Sequence, residues 1–149
     1  MSIDGTNSAL KKRVVVVLPK LKNKILMQLR DERSDIDQPG RWGFFGGQID
    51  RFERPNNAVK RELFEELCIK PYRLKFISRE YLIDLKGIYI YAYTFDFSPF
   101  KKKIKLNEGM GMQLISFKDL KYGRIKKLNK SYKIVKTYFI KKMFRYAKS

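Results

Sequence analysis

Residues 13–18 read RVVVVL, four consecutive valines closed by a leucine. β-Branched side chains favour extended backbone, and a strand without polar alternation is buried on both faces. A chain built on such a strand needs a sheet that is covered on each side. Its neighbours supply the rest of that sheet. Residues 19–23 (PKLKN) form a turn, with Pro19 closing the strand because proline cannot donate to a ladder. Residues 24–30 (KILMQLR) read as the next strand and 42–45 as a short aromatic one. Residues 72–84 and 87–97 carry alternating apolar positions, joined by a turn at 85–87, and 113–116 is a last short strand. Two helices interrupt the series. The first covers 55–67, with Pro55 suited to a first turn and Cys68 and Pro71 marking the end. The second covers 129–148, where Tyr132, Val135, Phe139, Met143 and Tyr146 recur at three- and four-residue spacing. Residues 117–122 start a further short helix. The order strands, helix, strands, helix predicts an α/β fold, a mixed sheet with helices packed on it.

The 149 residues suit one domain spanning 1–149, and 44% apolar content is enough for a packed core. One cysteine excludes an internal disulfide. The absence of histidine excludes a Ser-His-Asp triad, leaves Cys68 without an activating base, and rules out a His/Cys zinc site. A metal here has to be held by oxygen, which favours Mg²⁺, Mn²⁺ or Ca²⁺. No apolar run approaches the roughly 18–20 residues that span a bilayer, and the polar first ten residues lack a signal-peptide core. A cytoplasmic protein without a membrane partner is the expectation, as monomer or homodimer.

Acidic residues number only 15, yet Glu53, Glu62, Glu65 and Glu66 fall within 14 positions. Glu62, Glu65 and Glu66 stand at i, i+3 and i+4 on the first helix, so Glu65 and Glu66 lie within roughly 60° of Glu62. Val59, Leu63, Phe64 and Leu67 are left for the core. Three like charges on one face cost a few tenths of a kcal/mol per pair. A divalent cation offsets that cost, and an ordinary acidic surface stripe is the competing reading. Gly46-Gly47, directly after a strand, allows either close approach to a ligand or a plain tight turn.

From Gly47 the chain reads Gly, five residues, Glu53, seven residues, then Arg61-Glu62-Leu63-Phe64-Glu65-Glu66-Leu67-Cys68-Ile69. This resembles the Nudix box, G-x5-E-x7-R-E-U-x-E-E-x-G-U with U apolar, at every position except Cys68. Residues 42–47 (WGFFGG) resemble the W-x-x-P-G-G that often precedes the box, with Phe45 in place of proline. The resemblance implies a Nudix-type α/β/α sandwich and hydrolysis of a nucleoside diphosphate linked to another group. It implies Mg²⁺ or Mn²⁺ held by Glu62, Glu65, Glu66 and the Gly47 carbonyl, with Arg61 and Glu53 orienting the glutamates. A glutamate takes the proton of the attacking water. Many family members place a further acid after the central strands. Glu108 occupies that region, as base, last ligand or solvated loop acid, and Gln113 falls near the usual position. Cys68 replaces a helix-ending glycine, at a cost on the order of 1 kcal/mol if the site is left-handed.

Residues 101–149 hold 16 basic and 2 acidic residues, net +14 of the chain's +19. Such a tail could attract RNA, as in a Nudix-fold protein that binds RNA or processes its 5′ ends. Lys outnumbers Arg 23 to 11, which compositional bias also produces. The favoured partner is a small nucleotide-type substrate, with Trp42, Phe45 and Gly46 as candidate contacts. Tyr89, Tyr91 and Tyr93 alternate on one strand face and either stack a base or pack the sheet.

Overall fold

The computed structural model describes residues 11–32, 39–83, 87–104, 111–127, 129–135 and 137–148. Strand β1 (Arg13–Leu21) carries the valine run and pairs along its length with β6 (Ile88–Asp96), in parallel. On its other edge β1 pairs antiparallel with β4 (Phe45–Gln48) through Val14–Val17 and with β2 (Lys24–Leu29) through Lys20 and Leu21. Strand β2 pairs with β3 (Trp42–Gly43) and β7 (Gly111–Ser116), and β5 (Lys75–Leu82) pairs with β6. The result is a mixed seven-stranded sheet.

Helix α1 (Pro55–Leu67) packs on β4 and β1. Its core contains Val15, Val17, Leu26, Phe45, Val59 and Leu63. Helix α2 (Thr137–Lys148) covers the opposite face, around Leu18, Met27, Trp42, Ile90, Phe139 and Met143. Valines 14 to 17 alternate between these two cores, which is why an unbroken apolar run was needed. The α/β/α sandwich expected from the sequence is the observed fold.

Four details differ from expectation. Pro19 lies inside β1 rather than closing it. It falls between the β4-paired and β2-paired stretches, where β1 has no partner on that edge. The single aromatic strand at 42–45 is two, because the chain passes from β2 to β1 at Phe44. The long second helix begins at Thr137 rather than 129. Residues before it form a hairpin of β8 (Arg124–Lys127) and β9 (Lys130–Lys133). There Tyr132 faces Ile125 across the hairpin, and Tyr146 is exposed, so the buried stripe of α2 is Phe139, Ile140, Met143, Phe144 and Ala147. Residues 117–120 form a 3₁₀ turn. The expected turn at 85–87 lies largely outside the described residues.

Candidate active site

Strand β4 and helix α1 meet where the glycine pair faces the glutamates. Gly46 has φ 148°, and a Cβ there would collide with the Val15 carbonyl oxygen of the paired strand. Its amide donates to Glu66 Oε1 at 2.9 Å. A Cβ on Gly47 would lie 2.5 Å from the Glu62 carboxyl carbon. At Gly46 the obstacle is backbone, so only glycine fits, whereas a side chain at Gly47 would displace the Glu62 carboxylate from the strand.

Glu66 is not on an exposed acidic face. It is 4% exposed, within the stripe of Val59, Leu63 and Leu67 that packs on the sheet, whereas Phe64, expected in the core, is exposed. Burial of a carboxylate requires partners. Glu66 Oε1 accepts the Gly46 amide, and Oε2 accepts Gln28 Nε2 at 3.4 Å. Gln28, itself buried, also donates to the Phe44 carbonyl at 3.4 Å. Its signal was present in the sequence as the one polar residue between apolar neighbours in KILMQLR, but nothing pointed to its partner.

Arg61 gathers the other acids. Its Nε and Nη2 donate to the two oxygens of Glu53, each at 2.9 Å, and Nη2 also reaches the Gln48 carbonyl at 3.1 Å. Its Nη1 donates to Glu62 at 2.7 Å and Glu65 at 3.2 Å. The bidentate guanidinium and the Asp50 amide hold the Glu53 carboxyl at a pKa of about 2, against a partial desolvation that opposes them. The same carboxylates, Glu53 foremost, raise the Arg61 pKa further. Arg13 completes the loop by donating to the Asp50 and Glu53 carbonyls. Neither Gln28 nor Arg13 was singled out from the sequence.

Three glutamates, Glu53, Glu62 and Glu65, surround Arg61, with Asp50 at 3.7 Å and Glu66 beside them on the Gly46 amide, so acids outnumber the guanidinium here in a chain of net charge +19. The donors are hard oxygens, which suits Mg²⁺ or Mn²⁺. Among the described residues, however, no three Asp, Glu or Cys side chains converge into a cage that could hold an ion. Arg61 draws Glu53, Glu62 and Glu65 to its own side while Glu66 turns to the Gly46 amide. The donor chemistry therefore fits a divalent cation that keeps water and takes substrate oxygens as further ligands.

The remaining candidates separate. Trp42 is fully buried, with Nε1 donating to the Ile125 carbonyl at 3.0 Å, and Phe45 is fully buried under α1. Neither side chain reaches a ligand surface. Gly46 does, since it and Gly47 border a pocket of about 370 Å³ on the α2 side of the sheet. The pocket has an apolar lining that includes Val16, Ile90 and Phe139, with Lys12, Arg30 and Gln48 among its polar residues. Of the three tyrosines, Tyr91 and Tyr93 pack in the α1-side core, and Tyr89 stacks obliquely on Tyr81. Glu108 lies outside the described residues.

A sequence model of the NUDIX domain matches residues 10–138. The chain belongs to the Nudix family. It is a Nudix hydrolase, of a family whose members are in general pyrophosphohydrolases acting on nucleoside diphosphate derivatives. Comparison with curated proteins gives no match. Among solved structures, this Nudix chain is similar to the Escherichia coli ORF135 protein at 24% identity, covering 77% of this chain and 81% of that one, with a TM-score of 0.59. A MutT protein from Methanosarcina mazei Go1 aligns at 18% identity over 93% and 94%, TM-score 0.65. A Caenorhabditis elegans Ap4A hydrolase aligns at 16% over 93% and 96%, TM-score 0.59. These likenesses establish the fold. No helix among the described residues is long and apolar enough to cross a membrane.

Proposed function

We propose that this chain, acting as one domain, hydrolyses the diphosphate linkage of a nucleoside diphosphate derivative such as a nucleotide sugar, nucleoside triphosphate or dinucleotide. The observation that carries the reading is the glutamate excess around Arg61, seated against the glycine pair at the box spacing. Glu62, Glu65, Glu66 and the Gly47 carbonyl are the residues that would hold Mg²⁺ or Mn²⁺. When bound, such an ion polarises the phosphoryl group and lowers the pKa of water.

The chain's own residues divide the remaining work. Glu53 fixes the Arg61 guanidinium in plane, and Arg61 positions Glu62 and Glu65. Gly46 and Gln28 donate to the two oxygens of the buried Glu66 and fix its orientation. One box glutamate accepts the proton of the attacking water as the new P–O bond forms and the anhydride P–O bond breaks. The pocket beside Gly46 and Gly47 accepts the nucleoside, with Lys12 and Arg30 near its phosphates. The alternative, an RNA-directed role for the basic C-terminal third, would gather cations around the carboxylates. Arg13 and Arg61 sit at the carboxylates and Lys12 and Arg30 line the adjoining pocket, while many of the other described cations lie elsewhere, on the β8–β9 hairpin and along α2.

A product screen over nucleoside diphosphate derivatives tests the reading. The expected outcome is release of a nucleoside monophosphate with Mg²⁺ or Mn²⁺, abolished by excess chelator. A folded protein that cleaves none of them with either ion would overturn it.

A further inference from the structure

Strand β2 sends alternate side chains to opposite faces of the sheet, Met27 and Leu29 into the core under α2 and Leu26 into the core under α1. Gln28 follows Leu26 onto the α1 face, where it meets Glu66. It is 2% exposed, at a position an apolar side chain would fill without burying an amide. Its Nε2 lies 3.4 Å from Glu66 Oε2 and 3.4 Å from the Phe44 carbonyl oxygen. The Phe44 carbonyl and the carboxylate are both acceptors, and an amide NH₂ carries two hydrogens, so this orientation gives one to each. The reversed amide would bring three oxygens together.

Phe44 joins the two faces of the sheet. It stands between β3 and β4, and its carbonyl takes the Gln28 amide. Its ring lies in the α2-side core, edge-on to Phe139 with centroids 6.3 Å apart and stacked on Phe144 at 6.2 Å. Phe44 and Phe139 both line the pocket beside the glycine pair. The pocket wall on one face and the buried carboxylate on the other are therefore two bonds apart, with the Gln28 amide between them. Both bonds are longer than the usual range of about 2.7–3.2 Å, which leaves the amide room to move toward either acceptor. Glu66 Oε1 is held separately by the Gly46 amide at 2.9 Å, so Gln28 governs the direction of Oε2 about that contact.

We propose that Gln28 is a positioning residue through which the pocket wall at Phe44 sets the Glu66 carboxylate. The assignment rests on the reading of Glu66 as a ligand to a divalent cation. It gives the pocket a part in the chemistry beyond holding substrate. A nucleoside that displaces the Phe44 ring changes how Glu66 presents Oε2, and a diphosphate without a nucleoside leaves it unchanged.

Mn²⁺ binding to the full chain, measured by calorimetry without substrate, tests this in a double-variant cycle. Gln28→Met keeps an unbranched side chain and removes the amide. It is expected to weaken Mn²⁺ binding at least about tenfold, as loss of a group that orients a metal ligand does. Phe44→Leu removes the ring from the far face of the sheet and keeps the carbonyl. It is expected to weaken binding about fivefold in the wild-type background and less than about twofold in the Gln28→Met background. The control Leu120→Val trims a fully buried residue of the same core and is expected to lower the melting temperature while changing Mn²⁺ affinity by less than about twofold. Melting temperatures accompany each titration, and Gln28→Leu with Phe44→Met repeats the cycle in other shapes. Equal effects of the Phe44 variant in both backgrounds would overturn the assignment. So would unchanged Mn²⁺ affinity in a folded Gln28 variant, or a control that weakens binding as much as Phe44→Leu. Wild-type protein that binds no Mn²⁺ would overturn the reading of the carboxylates and this assignment with it, whereas normal wild-type binding with additive variants removes the assignment alone.

Discussion

Lys22, Phe52 and Cys68 hold φ values of 55°, 69° and 57°, the left-handed region where a Cβ is disfavoured. Cys68 ends α1, with its amide on the Phe64 carbonyl at 3.0 Å. The box places glycine there, so the strain was legible from the motif. Cys68→Gly is expected to stabilise by about 1 kcal/mol, a rise of about 2–4 °C in Tm, with kcat unchanged. A lower Tm would mean that the thiol makes a contact worth more than the strain. Phe52 was not legible. It is the third residue of a turn closed by Glu53 N–H to the Asp50 carbonyl at 3.0 Å, a place where only glycine or asparagine would have given the turn away. Glu66 was found as a carboxylate but not as a buried one, because helical spacing ranks neighbours without saying which face meets the sheet. Its burial sharpens a test. Glu66→Gln keeps an oxygen for the Gly46 amide, and Gln28 can reverse its amide to accept from the new one, giving up only its long 3.4 Å bond to the Phe44 carbonyl. Stability should hold while kcat falls at least about 10²-fold. Near-normal kcat would move the essential role to Glu62 or Glu65.

Among the elements, α1 appears at its expected bounds and α2 does not, for one reason. Helix α1 is framed by local signals, Pro55 at its start and Pro71 beyond its end. The segment before α2 has none. Tyr132 and Val135 happen to continue the spacing of Phe139 and Met143, although Tyr132 stands between polar Ser131 and exposed Lys133, as a strand residue does. Helix α1 is tied to the preceding loop by Arg61 and Glu53, and this tie has a pH signature. The folded pKa of Glu53, about 2, lies below the ordinary 4.5. Its ionised form therefore stabilises the fold fully above the ordinary value, and that contribution is lost as pH falls from about 4.5 toward 2. In metal-free protein, Glu53→Gln should melt below wild type at neutral pH, with the difference closing across that acid window. A difference that stays constant with pH would mean that Glu53 acts through shape rather than charge. Glu53→Gln should also reduce kcat, because Arg61 then loses the partner that fixes it over Glu62 and Glu65.

For the whole molecule, the question is whether net charge or local pairing governs its response to salt. The formal charge is +19 over 149 residues, and such an excess destabilises a compact state by self-repulsion. Against it stand Lys130 with Glu32 at 3.1 Å, Lys142 with Glu80 at 2.6 Å, and the Arg61 cluster. The first is exposed on both sides and contributes little in water. The others are partly sheltered, so screening weakens them less than it weakens repulsion between cations spread over the surface. Raising NaCl from about 0.02 to 0.5 M shortens the Debye length from roughly 20 Å to about 4 Å, below the spacing of most surface charges. Thermal stability should therefore increase with NaCl, most steeply at the low end. A melting temperature that falls with salt would show that the ion pairs outweigh the net repulsion.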